Sequence, residues 1–320
     1  MRQAFIEFQK QFAYNPIIKN KKKYKPAKKY IILGMGGSHL AADVIKSINP
    51  SIEMLIHSDY GLPALADKEL KNYLIIASSY SGNTEEVIDG LKIAYQKKLN
   101  IIILATGGKL IKFATANNLP YIQLPDFGIQ PRSALGFSCR ALLKAMVQNK
   151  LYAETNILTK ILKGKNYEVP GKKLAKELKN KIPIIYASSN NFSLAYNWKI
   201  KFNETGKIPA FYNVFPELNH NEMTGFDVAK QTKDLSKNFV FIFIRDDKDH
   251  KQVKKRMDVV SSLYKKRKLP IINIKLAGKN KWLQIFSNLL LADWASYYTS
   301  QGYGLESEKV PMVEDFKKLL

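Results

Sequence analysis

The feature that most constrains the fold of this chain is a repeated unit: a short apolar run, a turn, and then a helical pattern. In "KYIILGMGGSHLAADVIKSI" the apolar run precedes a glycine turn, and Leu40, Val44 and Ile48 then fall on one helical face. The same order, or the apolar run alone, recurs in "IEMLIHSDY", "NYLIIASSYSGNTEEVIDGLKIAYQKK", "NIIILATGGKLIKFATANN" and "YIQLP". Strands that are apolar on both faces are typical of a parallel sheet covered by helices. The chain is therefore predicted to have an α/β fold.

The unit returns in the second half of the chain, in "IPIIYASSNNFSLAYNWKIKFNE", "FVFIFIRDD", "LPIINIKLAG" and the helical "WLQIFSNLLLADWASYYTSQG". Between the halves, "YAETNILTKILKGKNYEVPGKK" is polar and lysine-rich and has no strand pattern, so we interpret it as the region between two domains. We predict two similar doubly wound domains with parallel sheets flanked by helices. The expected divisions are an N-terminal helix and basic loop at 1–27, a first domain at 28–152, and a second domain with a C-terminal helix at 153–320.

Length and composition restrict the class of protein. The chain has 320 residues, 46% of them apolar, which is enough for a sizeable core. It contains no apolar run of about 18 residues, and its N-terminus lacks the apolar centre of a signal peptide. Cys139 alone cannot form an internal disulfide, and one cysteine with four scattered histidines offers no cluster of metal ligands. We expect a cytoplasmic protein that uses no metal or other cofactor and binds no membrane.

The formal net charge of +24 is typical of proteins that bind nucleic acids or anionic surfaces. Only six of the 51 basic residues are arginine, however, and the lysines are spread along helical segments as well as gathered in "KNKKKYKPAKK". Lysines spread in this way favour a solvated surface over a recognition stripe. We therefore expect no specific nucleic-acid partner, and a positive field that attracts small anionic ligands.

Ligands of open parallel α/β sheets bind beyond the carboxyl ends of the strands, so the turns there are candidate sites. The turn "GMGGSH" lets the backbone approach a ligand and directs N–H groups at an anion. It matches neither the dinucleotide-binding fingerprint nor a P-loop. In "SSYSGNTEE", the hydroxyls of Ser79, Ser81 and Thr84 lie near a predicted helix start, which suits the oxygens of a phosphate monoester. The alternative is that these hydroxyls only cap the helix.

Three further residues are candidates for chemistry. Arg132 follows a strand in "GIQPRSALGF", where its guanidinium suits an oxyanion; alternatively it is a surface residue that fixes the loop. Glu204 falls near a helix end, and His220 lies in the Pro- and Asn-rich loop "PELNHNEM" before another helix. Together they could handle two proton transfers in one site. The alternative is a surface carboxylate and a hydrogen-bonded loop histidine.

Five motifs in this order and spacing resemble the bifunctional phosphoglucose/phosphomannose isomerase family, which is built from two sugar isomerase (SIS) domains: "GMGGS", "SYSGNTEE", "QPRSALGF", "NETGKIPAF" and "PELNHNEMTGF". "SYSGNTEE" marks SIS domains generally, whereas "QPR" with "PELNHNE" is much narrower. The resemblance spans the chain from about residue 30 to its end and implies two doubly wound SIS-type domains. It also implies metal-independent interconversion of glucose 6-phosphate and fructose 6-phosphate, and often of mannose 6-phosphate, through an enediol.

The resemblance implies a role for each motif. Residues from two turns would bind the hexose 6-phosphate: Gly36, Gly37, Ser38, Ser79, Ser81 and Thr84. Glu204 would move the proton between C1 and C2, and Arg132 would stabilise the enediolate. His220 would open and close the sugar ring. Members of the family are homodimers in which this histidine reaches the partner subunit's site.

Two segments depart from the family pattern. The family places a lysine in its last helix, and Lys317 matches it, with Lys318 as a near alternative. The segment 308–310 replaces the usual Asp-Pro sequence, which leaves the use of mannose 6-phosphate open. His39 stands where a glycine is usual, so it either points to solvent or contacts the sugar. The alternative function is a non-catalytic SIS-type sugar-phosphate-binding regulator, although such proteins typically carry an N-terminal helix-turn-helix domain.

Overall fold

The computed structural model describes residues 1–319, which form two compact units. The amino-terminal unit is Glu7–Leu162, and the carboxy-terminal unit is Met1–Ile6 together with the chain from Lys163 onward. Helix α1 (Arg2–Ile6) therefore belongs to the carboxy-terminal unit. The predicted three-part division of the sequence stays a prediction. Among the residues described, no helix is both long and apolar enough to span a membrane.

The amino-terminal unit contains a six-stranded sheet. Its strands are β1 (Ile18–Lys19), β2 (Lys29–Leu33), β3 (Glu53–His57), β4 (Tyr73–Ser78), β5 (Asn100–Ala105) and β6 (Tyr121–Gln123). The order is β1-β6-β5-β4-β2-β3, and all pairs are parallel except β1 with β6. The predicted parallel sheet is thus confirmed for β2 to β6. The antiparallel edge strand β1 was not predicted, because its two residues form no apolar run.

Helices cover this sheet because their apolar residues recur at helical spacing. They are α2 (Leu40–Ile48), α3 (Asp67–Leu70), α4 (Glu85–Gln96), α5 (Gly108–Ala116), α6 (Leu135–Ala145), α7 (Asn149–Thr155) and α8 (Leu158–Ile161). On α4, Val87, Leu91 and Ala94 form one buried stripe that packs with Ile75 and Ile103 of the sheet. Each fully buried large aliphatic side chain contributes about 1.5–3 kcal/mol. Every residue of β4 is buried, as expected for a central strand with helices on both faces.

The carboxy-terminal unit contains a four-stranded sheet, all parallel, in the order β10-β9-β7-β8. The strands are β7 (Ile182–Ser188), β8 (Phe211–Phe215), β9 (Phe239–Arg245) and β10 (Ile271–Lys275). The helices are α9 (Glu168–Glu177), α10 (Phe192–Lys201), α11 (Glu222–Gly225), α12 (Lys233–Ser236), α13 (Lys251–Lys266), α14 (Lys281–Gly302) and α15 (Pro311–Leu319). Its core is mainly aromatic, with Tyr186, Phe241 and Phe243 on the strands against Tyr264 of α13.

One strand of this sheet, β8, was not predicted from the sequence. It is an edge strand of five residues, and only Phe215 at its end is buried. Phe, Tyr and Val have high β-propensity, but Asn213 interrupts them, so β8 lacks the continuous apolar run by which the other strands were predicted. The polar segment interpreted as the region between domains contains no strand, as predicted, and is largely helical, from α7 to α9.

Candidate functional site

The glycine turn after β2 forms one side of the candidate site in the amino-terminal unit. It is a 3₁₀ turn, Gly36–Ser38, that leads directly into α2. Gly36 has a φ of +47°, which a residue with a side chain rarely adopts. A Cβ atom on Gly37 would lie 2.8 Å from the Cβ of Pro131. Only glycine at position 37 therefore lets the loop that carries Arg132 pack this closely.

Arg132 is placed beside the glycine turn by this packing. It lies in the 3₁₀ turn Pro131–Ser133, and only 1% of it is exposed. The alternative of a surface arginine is therefore wrong. Its Nη1 donates to Oε1 of Gln130 at 3.4 Å. A guanidinium keeps its charge when it is buried, so Arg132 supplies a fixed positive charge at the carboxyl edge of the first sheet.

The loop after β4 is tied to the glycine turn by two hydrogen bonds. The hydroxyl of Ser78 donates to the backbone carbonyl of Ser38 at 3.1 Å, and the backbone N–H of Tyr80 donates to Oγ of Ser38 at 3.0 Å. Ser78 and Ser38 therefore hold the two turns together. This leaves Ser79, Ser81 and Thr84 as the hydroxyls nearest the start of α4.

These three hydroxyls are organised by the loop itself. Ser79, which is fully buried, shares a hydrogen bond of 2.7 Å between its Oγ and Oγ1 of Thr84, and its Oγ also accepts from the N–H of Gly82 at 3.1 Å. Oγ of Ser81 accepts from the N–H of Asn83 at 3.3 Å. Thr84 is the N-cap residue of α4, but its side chain makes no capping hydrogen bond. The capping alternative is thus wrong for Thr84, and the hydroxyls lie where the helix dipole favours an anion.

The shape of this loop depends on Gly82. Its φ is +71°, and a Cβ atom there would lie 1.9 Å from the carbonyl oxygen of Gly107 in the loop after β5. The Asn83 side chain fixes the same contact, since its Oδ1 accepts from the N–H of Lys109 at 3.0 Å. The loops after β4 and β5 therefore pack closely together.

His39 does not point to solvent, so that alternative is wrong. It is 7% exposed, and its Nδ1 lies 2.8 Å from Oδ2 of Asp43, one turn later on α2. Its φ of −100° is ordinary, so this position does not require a glycine. Asp43 fixes the orientation of the imidazole beside the glycine turn.

In the carboxy-terminal unit, Glu204 lies on an irregular helical turn. α10 continues directly into a π-helical turn, Phe202–Gly206, and Lys207, with a φ of +59°, ends it. The helix end predicted at "TGK" is confirmed. Glu204 is half-buried, and Nζ of Lys207 donates to its backbone carbonyl at 2.6 Å. Isolated π turns within helices are frequent at functional sites.

His220 is exposed and follows β8. It ends a 3₁₀ turn, Glu217–His220, and α11 begins two residues later, as predicted. Two glutamates near it in sequence are held by neighbours. Oε1 of Glu217 accepts from Asn221 Nδ2 at 2.8 Å, and Oε1 of Glu222 accepts from the hydroxyl of Tyr186 at 2.5 Å.

Glu204 and His220 lie at opposite ends of β8. Glu204 precedes the amino end of this strand, and His220 follows its carboxyl end. A strand of five residues spans about 13 Å at roughly 3.3 Å per residue. The strand therefore separates the two residues along the chain.

Lys317 lies on α15, none of whose residues is buried. Lys318, the alternative, has its Nζ 3.1 Å from Oδ1 of Asp315. An exposed pair of this kind contributes little to stability but occupies the Lys318 ammonium.

The carboxyl edge of the second sheet carries a buried charge cluster, which the sequence interpretation missed. Nζ of Lys281 donates to Oδ2 of Asp246 at 2.7 Å and to Oδ1 of Asn191 at 2.8 Å. Oδ1 of Asp249 accepts from the hydroxyl of Ser188 at 2.5 Å. The available signal was "RDDKD", acidic residues directly after an apolar strand. Parallel α/β sheets usually bind ligands at their carboxyl edge. In the second sheet, the protein's own charged side chains occupy that edge.

The pKa values of the two carboxylates in this cluster are shifted in opposite directions. Burial raises the pKa of Asp249 above its ordinary value; the Ser188 hydroxyl opposes this rise, and the nearby Asp246 charge adds to it. Burial also acts to raise the pKa of Asp246, but the Lys281 ammonium and the Lys248 N–H outweigh it and lower that pKa. Oδ2 of Asp249 is buried and has no hydrogen-bond partner among residues 1–319. Lys281 thus bonds directly to Asp246 but not to Asp249, and burial disfavours the charged form of Asp249.

Substitution of each aspartate by asparagine should shift stability in opposite directions. A raised pKa means that the stability due to Asp249 is lost as pH rises from about 4 through the folded pKa. The stability of Asp249→Asn relative to the wild type should therefore increase as pH rises. Near pH 7 the gain should be about 1 kcal/mol, or roughly 2–4 °C in Tm. A lowered pKa means that the contribution of Asp246 is present above about pH 4 and lost below it. Asp246→Asn should therefore lose the most stability, relative to the wild type, near neutral pH.

Thermal unfolding of both variants and the wild type, followed by circular dichroism between about pH 3 and pH 7, checks this opposition. Each variant is the matched control of the other, because both lie in one cluster. Shifts of the same sign across the whole range would contradict the assigned protonation.

Comparisons with known proteins are consistent with the fold and the loops described above. The family model described as the bacterial phospho-glucose isomerase C-terminal SIS domain matches residues 168–320. The chain is 33% identical to a bifunctional phosphoglucose/phosphomannose isomerase of Caldicellulosiruptor bescii, over 98% of this chain and 96% of that protein. It is 28% identical to a protein of the same name from Aquifex aeolicus, again over 98% and 96% of the two chains.

A solved structure is similar in fold. The crystal structure of glucosamine-6-phosphate deaminase from Thermotoga maritima superposes with a TM-score of 0.66 and covers 97% of this chain and 95% of that one, at 14% identity. An identity this low supports the fold alone. With the family match, it confirms the predicted fold class of doubly wound SIS-type α/β domains with parallel sheets flanked by helices.

Proposed function

The chain belongs to the bifunctional phosphoglucose/phosphomannose isomerase family, and from this premise we propose that it interconverts glucose 6-phosphate and fructose 6-phosphate. The reaction moves a proton between C1 and C2 of the open-chain sugar through a cis-enediol and needs no metal. The observation that carries the proposal is the loop from Ser79 to Thr84, in which the Ser79 and Thr84 hydroxyls meet at the start of α4 and Thr84 makes no capping hydrogen bond.

This loop binds the phosphate of the substrate. Ser79, Ser81 and Thr84 donate to the phosphate oxygens, and the N-terminus of α4 adds a favourable dipole. The glycine turn of Gly36, Gly37 and Ser38 lines the sugar, since its backbone can approach a ligand closely. The support is local geometry: both turns lie at the carboxyl edge of one sheet and are bonded to each other.

Glu204 and Arg132 carry the isomerisation. The Glu204 carboxylate removes the proton from C2 of the aldose, and the electrons form the C1–C2 double bond of the enediol while the C1 oxygen gains charge. The proton of the C2 hydroxyl passes to the C1 oxygen, and return of the abstracted proton to C1 then gives the ketose. Arg132 stabilises the enediolate oxygen, because its charge cannot be titrated away and it is held rigidly by its loop. Burial of Arg132 and the irregular turn beneath Glu204 support these roles.

His220 opens and closes the sugar ring, a step that protonates the ring oxygen and deprotonates the C1 hydroxyl. We propose that it does so in the site of a second copy of the chain, so that the functional form is a homodimer. Two features support this arrangement: His220 is exposed, and β8 separates it from Glu204 of its own chain.

The apolar face of α15 also supports a homodimer. Met312, Phe316 and Leu319 recur at helical spacing and are 84%, 60% and 87% exposed. Contiguous exposed apolar side chains mark interaction sites. We propose that the second copy covers this face, which would carry Lys317 of the same helix toward a substrate site.

The remaining assignments of the resemblance stay predictions. Mannose 6-phosphate is proposed as a further substrate, since the relatives carry the bifunctional name. A cytoplasmic location, roles in glycolysis and gluconeogenesis, and the absence of a specific nucleic-acid partner are likewise proposed. The non-catalytic regulator gains no support from relatives that carry isomerase names.

A coupled assay tests the proposed function. The purified protein should convert fructose 6-phosphate to glucose 6-phosphate, read with a dehydrogenase specific for glucose 6-phosphate, and the rate should survive EDTA. Mannose 6-phosphate is tested in the same assay. Binding of fructose 6-phosphate without turnover by the folded protein would instead favour the regulator. Turnover abolished by EDTA would overturn the metal-independent mechanism.

A further inference from the structure

A buried ion pair lies at the junction between α10 and the turn that carries Glu204. Nζ of Lys201, the last residue of α10, donates to Oδ1 of Asp293 on α14 at 2.5 Å. Their side chains are 1% and 3% exposed. Removing two charges from water costs about as much as their attraction returns, so such a pair is weak evidence of stabilisation. Its better attested use is to fix the register of packed elements.

The register of α10 against α14 matters because Glu204 lies three residues after Lys201, beyond the point where the α-helix becomes a π-helical turn. A π turn contains an extra residue relative to an α-helical turn, which rotates each later side chain by about 100° from its α-helical direction. The direction of Glu204 therefore depends on where the π turn begins. Lys201 is the last residue before it, so the residue held by Asp293 defines that starting point.

One other hydrogen bond holds the same stretch against α14, since Nε1 of Trp198 donates to Oδ1 of Asn288 at 2.7 Å. Further along, Gly206 lies near Ser296, because a Cβ atom on Gly206 would be 3.6 Å from the carbonyl oxygen of Ser296. From Trp198 to Gly206, and from Asn288 to Ser296, the chain advances by the same number of residues. The two stretches thus lie side by side, and the ion pair is a buried charged contact three residues before Glu204.

We propose that Lys201 and Asp293 are positioning residues for Glu204: their buried pair locks α10 against α14 and so sets the direction in which the π turn presents the carboxylate. The inference rests on the proposed role of Glu204. Neither residue touches the substrate. Loss of the pair should therefore impair proton transfer while leaving phosphate binding, which belongs to the amino-terminal unit, unchanged.

The decisive variant is Lys201→Met with Asp293→Leu, which replaces the pair by apolar side chains that a buried site tolerates. We expect a folded protein whose kcat is lower by about 10²-fold with KM unchanged, because a misplacement of about 1 Å in a reacting group has such an effect. With glucose 6-phosphate deuterated at C2, the isotope effect on kcat should rise, since transfer of that proton becomes rate-limiting. A general loss of packing would not produce this selective change.

Asn288→Ala is the matched control. It removes the uncharged contact between the same two helices and should lower Tm while leaving kcat within about twofold of the wild type, because fully buried Trp198 keeps its place by packing. Should the double variant fail to fold, Lys201→Met with Asp293→Asn replaces it, since this change also breaks the pair and leaves no buried charge unpaired. Wild-type kcat and isotope effect in either folded variant would overturn the inference, as would an equal loss in Asn288→Ala.

Failure of this inference is distinguishable from failure of the proposed function. A wild-type protein without isomerase activity, or a fully active Glu204→Gln variant, would overturn the proposed function. An active wild type and an inactive Glu204→Gln, with an unimpaired double variant, would overturn the positioning role alone.

Discussion

Replacement of Glu204 by Gln is expected to lower kcat for the conversion of glucose 6-phosphate to fructose 6-phosphate by about 10²–10⁴-fold, the usual contribution of a positioned base. Glutamine has the same size and can still accept one hydrogen bond, but it cannot take a proton from C2. KM should change little, because the groups proposed to bind the phosphate lie in the other unit. Steady-state kinetics with both hexose 6-phosphates measure the two parameters separately.

Glu217→Gln is the control for this variant. Glu217 is also close to His220 in sequence, but it is exposed, and its Oε1 accepts from Asn221. The amide of glutamine can accept the same bond, so kcat should stay within about twofold of the wild type. An equal loss in both variants would indicate a nonspecific effect. Full activity of Glu204→Gln would remove Glu204 from the mechanism and reopen the search for the base.

Much of the fold follows from local sequence, because the central strands are buried on both faces. β4 and β9 are continuous apolar runs, and the helices after them carry apolar stripes at helical spacing. β8 lacks such a run because an edge strand with half-exposed side chains does not require one. Its omission mattered, since without β8 the sequence between Glu204 and His220 looks like a single loop.

The candidate site, like the fold, has one part that the local sequence predicts and another that it does not. The hydroxyl-rich loop from Ser79 to Thr84 was visible because turn chemistry and helix starts are local. The pair of Lys201 and Asp293 joins residues 92 apart, so spacing along the chain could not predict it. The one available signal was an aspartate inside the apolar stretch "LLLADWAS", which demands a buried partner.

The start of the π turn could not be predicted from sequence. Its hydrogen bonding differs from that of an α-helix by one residue, and propensities do not distinguish the two. The π turn packs against α14, and the local sequence does not specify this contact. Which residue of "FNETG" faces a substrate is thus a property of tertiary packing.

A mixed dimer of Glu204→Gln and His220→Ala subunits should recover activity that both parent proteins lack with ring-closed glucose 6-phosphate. If His220 serves the neighbouring site, one site of the mixed dimer combines the intact Glu204 of the His220→Ala subunit with the intact His220 of the other subunit. The other site carries both substitutions. A purified mixed dimer should therefore show about half the wild-type rate, as expected for one intact site in a two-fold symmetric pair.

Differently tagged subunits are co-expressed, and the mixed dimer is isolated by two affinity steps and confirmed by its mass. The control pairs Glu204→Gln with the Glu204→Gln, His220→Ala double variant, which leaves no intact site in any arrangement. A mixed dimer no more active than this control would place His220 in its own subunit's site. Recovery would instead show that a second chain supplies the imidazole, which agrees with the exposure of His220 on its own unit.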